Sequence, residues 1–130
     1  MLSGIFGKPV EDLTRGMSYA SSRHAILTSN IANVDTPGYA ARDLVFDDYL
    51  RPWAGPTPIG GSAEPLPPGP DGRVARQVLA ADGTPRPDGN DVKLDRQMAR
   101  LAENSLYQNT MVQLLTNHFN TLKQAISGRV

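Results

Sequence analysis

The chain has 130 residues, enough for one domain and too few for two ordinary ones. Its 13 basic residues balance its 13 acidic residues, which argues against a surface built to bind nucleic acid or anionic lipid. Cysteine is absent, so disulfides, thiol catalysis and cysteine metal sites are excluded.

The N-terminal residues do not form the pattern of a secretory signal or a membrane anchor. The few apolar residues, Leu2, Ile5 and Phe6, precede the first charge at Lys8, whereas a cleaved signal has the reverse order and a longer apolar core. No apolar run approaches the roughly 18 residues that span a bilayer. We therefore expect no direct membrane insertion, and export, if it occurs, by another route.

The first predicted helix runs from about Glu11 to Val34. Apolar and small residues recur there in alternating steps of four and three, which is typical of a helix that packs lengthwise along another helix. These predicted seam positions are Leu13, Met17, Ala20, His24, Leu27, Ile31 and Val34. We interpret His24 as a hydrogen-bonded core residue, with a register-fixing role as the alternative.

A turn signal ends this helix. Pro37 disfavours helical geometry at Thr36, so the helix should stop by about Asp35. The run Thr36-Pro37-Gly38-Tyr39 suits a type II turn, because proline presets one dihedral angle and glycine accepts the positive φ that follows. The sequence therefore predicts a sharp reversal of the chain at this point.

Two asparagines precede the turn. Asn30 and Asn33 lie three residues apart, on one side of the last helical turns, and each offers a donor and an acceptor that can tie the returning loop to the helix end. Tyr39 is predicted to turn back as an apolar anchor with a polar tip. The predicted loop-anchoring residues are Asn30, Ile31, Ala32, Asn33, Thr36, Pro37, Gly38 and Tyr39.

The middle of the chain differs sharply in composition. Residues 52–89 hold nine of the eleven prolines and seven of the twelve glycines, which rules out a sustained helix. Only Arg73 to Ala81 has the character of a short strand, which we expect to pair across the Asp82-Gly83 turn signal. The rest is predicted to be loop.

The second predicted helix runs from about Val92 to Ser127. Its predicted seam positions are Leu94, Met98, Leu101, Ser105, Gln108, Val112, Leu115, Phe119, Leu122 and Ile126. Asn90 or Asp91 is expected to cap its start with a side-chain oxygen, and Gly128 to end it.

These elements predict a mainly α fold: an elongated, coiled-coil-like pair of long N- and C-terminal helices, joined by a Pro/Gly-rich loop with at most a short β-hairpin. We divide the single domain into residues 1–50, 51–90 and 91–130. Further apolar residues lie off the second seam, at Leu106, Tyr107, Met111 and Leu114. Because a lone helical hairpin would expose them, we expect a protein interaction surface.

No residue pattern indicates catalysis, a cofactor or a metal. The two histidines, His24 and His118, lack the spacing of a helical zinc site, and His118 is expected to face solvent or a neighbour. Asp47-Asp48 resembles a solvated pair of charges more than a catalytic dyad. Gly60-Gly61 is not part of a phosphate-binding loop motif. The sequence predicts a protein that is not an enzyme.

Residues 30–39 read NIANVDTPGY. This run is similar to the N-terminal signature of the flagellar rod and hook family, whose usual form is AAN[IL]ANxxTPGY. The following ARDLVFDDYL, residues 41–50, and DGNDVKLD, residues 88–95, resemble segments of the proximal-rod branch of that family. The last helix is also similar, so the resemblance covers both ends of the chain and spares the middle.

The resemblance implies a structural subunit of the proximal rod in the flagellar basal body. Such subunits polymerise through their terminal helices into a drive shaft that transmits torque and encloses the export channel. The implied partners are other copies of the chain, other rod proteins of the FlgC and FlgF-like types, the FliE adaptor, and the MS ring and export gate at the rod base. The implied location is the periplasmic rod, reached through the flagellar type III apparatus without signal cleavage.

Within that interpretation, subunit packing is assigned to apolar seam residues of both helices. They are Leu13, Met17, Leu27, Ile31, Leu94, Met98, Leu101, Val112, Leu115, Phe119, Leu122 and Ile126. The alternative function is a coiled-coil adaptor or export chaperone of a type III secretion system. It would have the same seams but would form a closed, soluble oligomer.

We predict that the purified monomer is poorly ordered, because neighbouring subunits complete its core. Far-ultraviolet circular dichroism at micromolar concentration should then report much less helix than two full-length helices would give. Full helicity with a cooperative melt would contradict this prediction.

Overall fold

The computed structural model describes residues 3–44, 77–80 and 82–128. These residues form helix α1 (Ser3–Ala32), strand β1 (Arg42–Leu44), strand β2 (Gln77–Leu79) and helix α2 (Leu94–Ser127). The prediction of two long helices with a short antiparallel strand pair is confirmed. Most of the Pro/Gly-rich region that was predicted to be loop lies outside the described residues.

Helix α1 is longer at its start than predicted. It begins at Ser3 and continues through Pro9, whereas the sequence placed the start near Glu11. Pro9 lies beyond the first turn of this helix, where it removes one backbone hydrogen bond and its ring crowds the preceding turn. At the other end, Val34 donates its backbone N–H to the carbonyl of Ile31, a tighter turn than the α-helix makes. The predicted stop before Asp35 is confirmed.

Helix α2 ends as predicted but is capped differently. Gly128 has a left-handed φ of 64° and confirms the predicted C-cap. The predicted N-cap is wrong, because the capping position is Lys93, whose side chain makes no capping hydrogen bond. The side chains of Asn90 and Asp91 bond elsewhere in the fold.

The two strands pair in antiparallel register, with Arg42 opposite Leu79 and Leu44 opposite Gln77. Strand β2 lies inside the segment predicted from 73 to 81, although residues 73–76 and 81 are outside the described part of the chain. Its partner is β1, so the expected pairing across the Asp82-Gly83 turn is wrong. A short-range turn signal could not reveal that the complementary strand follows the first helix.

The helices lie antiparallel, and α1 contacts α2 most closely at a glycine. A Cβ atom added to Gly16 would lie 3.0 Å from the Tyr107 hydroxyl and 3.1 Å from the Met111 sulfur. Nearby, the rings of Tyr19 and Tyr107 meet edge to face, with their centroids 6.1 Å apart. The buried apolar residues are Tyr19, Ala20, Ile26, Leu27, Ala41, Leu44 and Val92. They lie in the half of the helix pair next to the strands.

The contact between the helices uses only some of the predicted seam residues. On α1, Ala20 and Leu27 are buried as predicted, but His24 is exposed, so its interpretation as a core histidine is wrong. On α2, the fully buried residues are Gln97 and Asn104, and neither belongs to the predicted seam. Several predicted seam residues are instead exposed: Leu94, Met98, Val112, Phe119 and Ile126.

The exposures divide the predicted stripe on α2 into two columns of residues spaced by seven. One column is half-buried and contains Leu101, Gln108, Leu115 and Leu122. The other column contains the exposed residues Met98, Val112, Phe119 and Ile126. The periodicity correctly indicates an apolar stripe on α2, but it does not indicate which surface covers that stripe.

Among the helices described, none is both long and apolar enough to cross a membrane.

Candidate functional site

The signature residues form a turn of the predicted type. Gly38 has a φ of 72°, and Tyr39 donates its backbone N–H to the carbonyl of Thr36 at 3.3 Å. Positive φ at the third residue together with this bond defines a type II turn. The prediction of a type II turn at residues 36–39 is therefore confirmed.

Asn30 is fully buried and bonds the chain that returns from the turn. Its Nδ2 donates to the carbonyl of Arg42 at 2.7 Å, and its Oδ1 accepts the backbone N–H of Arg42 at 3.1 Å. The same side chain donates to Gln97 Oε1 at 2.9 Å and accepts from the Tyr39 hydroxyl at 3.3 Å. The amide of Asn30 thus occupies the edge of β1 as a neighbouring strand would.

The side chain of Asn33, unlike that of Asn30, bonds to residues close to it in the sequence. Its Nδ2 donates to the carbonyl of Ser29 at 2.8 Å, and its Oδ1 accepts from the Thr36 hydroxyl at 3.1 Å. The Tyr39 hydroxyl lies 3.3 Å from the Ser29 hydroxyl, near the end of α1. These bonds close the last turn of the helix onto the chain reversal.

Asn90, which lies shortly before α2 in the sequence, bonds to the backbone of the signature residues. It is fully buried, and its Nδ2 lies within hydrogen-bond distance of three backbone carbonyls in the turn that follows α1. These are the carbonyls of Asn33 at 3.0 Å, Val34 at 3.1 Å and Thr36 at 2.7 Å. Its Oδ1 accepts the backbone N–H of Val92 at 2.8 Å. Because buried carbonyls need hydrogen-bond partners, Asn90 fixes the path of the chain just after α1.

Two glycines permit this close approach. Gly38 donates its backbone N–H to the carbonyl of Asp88 at 2.9 Å, and a Cβ on Gly89 would lie 3.5 Å from the Cα of Gly38. The φ of Gly89 is 81°, which disfavours other residues. Asp91 adds two bonds across the same contact: its backbone N–H to the carbonyl of Tyr39, and its Oδ1 to the N–H of Ala41. We call residues 30–42 and 82–93 together the helix junction.

Asp82 connects the junction to α2. Its buried carboxylate accepts from the backbone N–H of Lys93 at 3.2 Å and from Gln97 Nε2 at 2.5 Å. The Arg100 guanidinium lies 2.9 Å from the other carboxylate oxygen, as an ion pair outside hydrogen-bond geometry. The sequence analysis missed this residue because Asp-Gly was interpreted only as a turn signal.

A second ion pair, also missed from the sequence, joins α1 to β1. Arg23 donates from Nε and one terminal nitrogen to both oxygens of Asp43, at 2.8 and 2.9 Å. This hydrogen-bonded pair raises the pKa of Arg23, although burial opposes the effect. Burial likewise raises the pKa of Tyr19 and of Tyr107, so both phenols stay neutral at physiological pH. The Arg23–Asp43 pair therefore holds β1 against α1.

The junction brings Asn30, Asn33, Thr36, Gly38 and Tyr39 together. The other signature residues contribute differently: Ile31 is half-buried, whereas Ala32 and Pro37 are exposed. Within the described ranges no group of three or more histidine, aspartate or glutamate side chains is arranged to hold a metal ion. The helix junction is therefore a structural contact that connects the end of α1 to the start of α2.

The residues predicted to pack subunits together are spread along both helices. Leu27 is buried inside the chain, and the half-buried ones are Leu13, Met17, Ile31, Leu101, Leu115 and Leu122. The remaining five, all on α2, are exposed.

The model of the "Flagella basal body rod protein" family matches residues 13–39, which span α1 and its turn. The flagellar basal body rod protein FlgB of Aquifex aeolicus is 31% identical over 126 residues, covering 91% of this chain and 98% of the relative. FlgB of Salmonella typhimurium is 31% identical, covering 86% and 88%. FlgB of Cereibacter sphaeroides is 37% identical, covering 82% and 84%.

The chain therefore belongs to the flagellar basal body rod proteins and, among these, to the FlgB family. The comparisons do not favour the alternative of an adaptor or export chaperone.

Replacing Asn90 by alanine is expected to lower the free energy of unfolding by at least about 2 kcal/mol, since each buried polar group left without a partner costs roughly 1–3 kcal/mol. Asn109→Ala, at an exposed position of α2, is the matched control and should change it by less than about 0.5 kcal/mol. Urea unfolding followed by circular dichroism measures both. Equal effects of the two substitutions would contradict the assigned role of Asn90.

Replacing Gly38 by valine is expected to destabilise the junction by about 1–3 kcal/mol, because it forces a β-branched residue to positive φ. No atom lies within 4 Å of the added Cβ, so the effect comes from the backbone alone. Gly38→Asn should be milder, because asparagine tolerates this conformation. Intact rods and normal swimming with Gly38→Val would show that the turn is dispensable.

Proposed function

We propose that this chain is a structural subunit of the flagellar basal body rod that polymerises through α1 and α2. Its membership of the FlgB family supports the rod assignment. The apolar surface of α2 supports polymerisation through the helices, and it is the single observation that carries this part of the proposal.

Large apolar side chains are exposed along the whole of α2. They are Leu94, Met98, Leu106, Val112, Leu114, Phe119 and Ile126, each between 43% and 87% exposed. Full burial of one such side chain is worth about 1.5–3 kcal/mol. Several of them, covered by neighbours, would contribute as much free energy as the whole stability of a small domain.

Burial within the chain is confined to one half of the helix pair. No residue of α2 from 105 to 128 is buried, and none of α1 from 7 to 15 is. Over these residues the half far from the junction has two helices without a buried core. Adjacent subunits supply the missing apolar contacts, and the junction half provides a fixed base for them.

The family resemblance supports a finer description. The subunit lies in the periplasmic, proximal part of the rod, transmits torque and helps to enclose the export channel. Its neighbours are further copies, FlgC and FlgF-like rod proteins, the FliE adaptor, the MS ring and the export gate. It reaches the rod through the flagellar type III apparatus without signal cleavage, works as one axial domain and has no enzymatic activity.

The rod assignment predicts that a strain lacking the gene neither swims nor assembles basal bodies. Phe119→Glu should fail to restore either function, because it places a charge where a neighbour buries an apolar ring. Gln113→Glu adds the same charge at another exposed position and should restore swimming. Circular dichroism should show that neither change lowers the helicity of the purified chain.

Swimming by the deletion strain would exclude the rod function. Restoration by Phe119→Glu would leave the rod assignment in place but exclude this part of α2 from subunit packing.

A further inference from the structure

Helix α2 has two different faces. The face that contacts α1 carries the buried amides Gln97 and Asn104, seven residues apart, and then Met111 and His118 at the next two heptads. The adjacent face carries the exposed apolar residues, among them Met98 and Phe119. The chain has therefore placed two amide side chains inside its own helix pair and left an apolar face of the same helix uncovered.

Hydrophobic burial alone would select the opposite arrangement. Covering leucine and phenylalanine side chains is strongly favourable, whereas an amide in a helix contact at best recovers the hydrogen bonds that it loses to water. Polar residues inside a helix seam are nevertheless known to fix register and partner at some expense in stability. The question is which contacts hold α1 on the polar face.

The hydrogen bonds of Gln97 and Asn104 hold α1 on this face, because each bond requires one specific register of the two helices. Gln97 accepts from Asn30 Nδ2 and donates to Asp82, so it recognises residues of α1 and of the junction together. Asn104 Nδ2 donates to the backbone carbonyl of Ala20 at 2.8 Å. A slip of one helical turn would break these bonds and leave both amides buried without partners.

The bond of Asn104 also depends on how closely the helices approach. A side chain as short as asparagine reaches a backbone carbonyl on the other helix only where α1 has small residues, here Gly16 and Ala20. A Cβ added to Gly16 would be tight against the Tyr107 hydroxyl and the Met111 sulfur, so both side chains would have to shift. Asn104 Oδ1 is buried and makes no hydrogen bond to any described residue.

We propose that Gln97 and Asn104 are specificity-determining residues, which select the chain's own α1 for the polar face of α2 and so reserve the apolar face for other subunits. The selection of α1 stands on the structure alone. The reservation of the apolar face rests on the proposed rod function.

The register is measurable because the chain has no cysteine, so two introduced cysteines can be spin-labelled cleanly. Ala32→Cys on α1 and Ala102→Cys on α2 are exposed positions at different levels of the junction half, so a slip along the helix axis changes the distance between them. In this background we expect a single narrow distance by pulsed electron paramagnetic resonance. Adding Asn104→Leu should produce a second distance, because α1 then also pairs in a register shifted by one helical turn, about 5 Å along the axis, with helicity unchanged.

Asn109→Leu is the matched control, since it adds the same apolar group at an exposed asparagine of the same helix and should keep the single distance. Asn104→Ala covers the case in which leucine is too large to fold, and it should likewise broaden the distance distribution. A single narrow distance in either folded Asn104 variant would overturn the proposal. A broad distribution in the parent chain would overturn it too, because the amides would then set no register.

A separate measurement tests the second half of the proposal. Light scattering after size-exclusion chromatography should show that Asn104→Leu forms discrete oligomers that Asn109→Leu does not form. The reason is that α1 and α2 of different chains can pair once the register is no longer fixed. A monomeric Asn104→Leu variant with two distances would overturn the reservation of the apolar face while supporting the register. Failure of the rod function would be seen only in swimming and basal body assembly.

Discussion

The fold depends on the satisfaction of backbone polar groups by side-chain amides at the end of α1. The turn that follows α1 carries backbone carbonyls into the fold, and buried carbonyls need hydrogen-bond partners. Here Asn90 lies within hydrogen-bond distance of the carbonyls of Asn33, Val34 and Thr36, and Asn30 bonds both backbone groups of Arg42. Two buried side chains thus supply bonds that backbone neighbours would otherwise supply.

This arrangement explains why two sequence segments far apart behave as one structural unit. The turn at Gly38 brings the chain back beside α1, and the turn at Gly89 presents Asn90 to the helix end. Each turn needs a positive φ, and the close approach of the two glycines leaves little room for side chains between them. Asp82 then joins the unit to α2 through Gln97 and Arg100. The polar junction therefore fixes the position of both helices.

Conformational preferences of single residues correctly predicted the features that depend on neighbouring residues alone. The type II turn and the glycine cap of α2 follow from the dihedral preferences of Pro37, Gly38 and Gly128 and are found as expected. The role of Asn90 did not follow, because an asparagine just before a helix is an equally good N-cap, and its actual acceptors lie more than fifty residues earlier. The burial of Asp82 and its pairing with Arg100 are hidden for the same reason.

The heptad pattern of α2 illustrates a different limit of sequence reasoning. Periodicity reports that a helix face is apolar, but a partner from the same chain and a partner from another chain leave the same pattern. In this protein Leu101, Leu115 and Leu122 are half-buried, whereas Met98, Phe119 and Ile126 on the same stripe are exposed. An isolated domain selected only for its own stability would place the exposed residues inside. Their exposure, next to a contact that two amide side chains hold by hydrogen bonds, is the arrangement expected of a subunit whose core is completed by assembly.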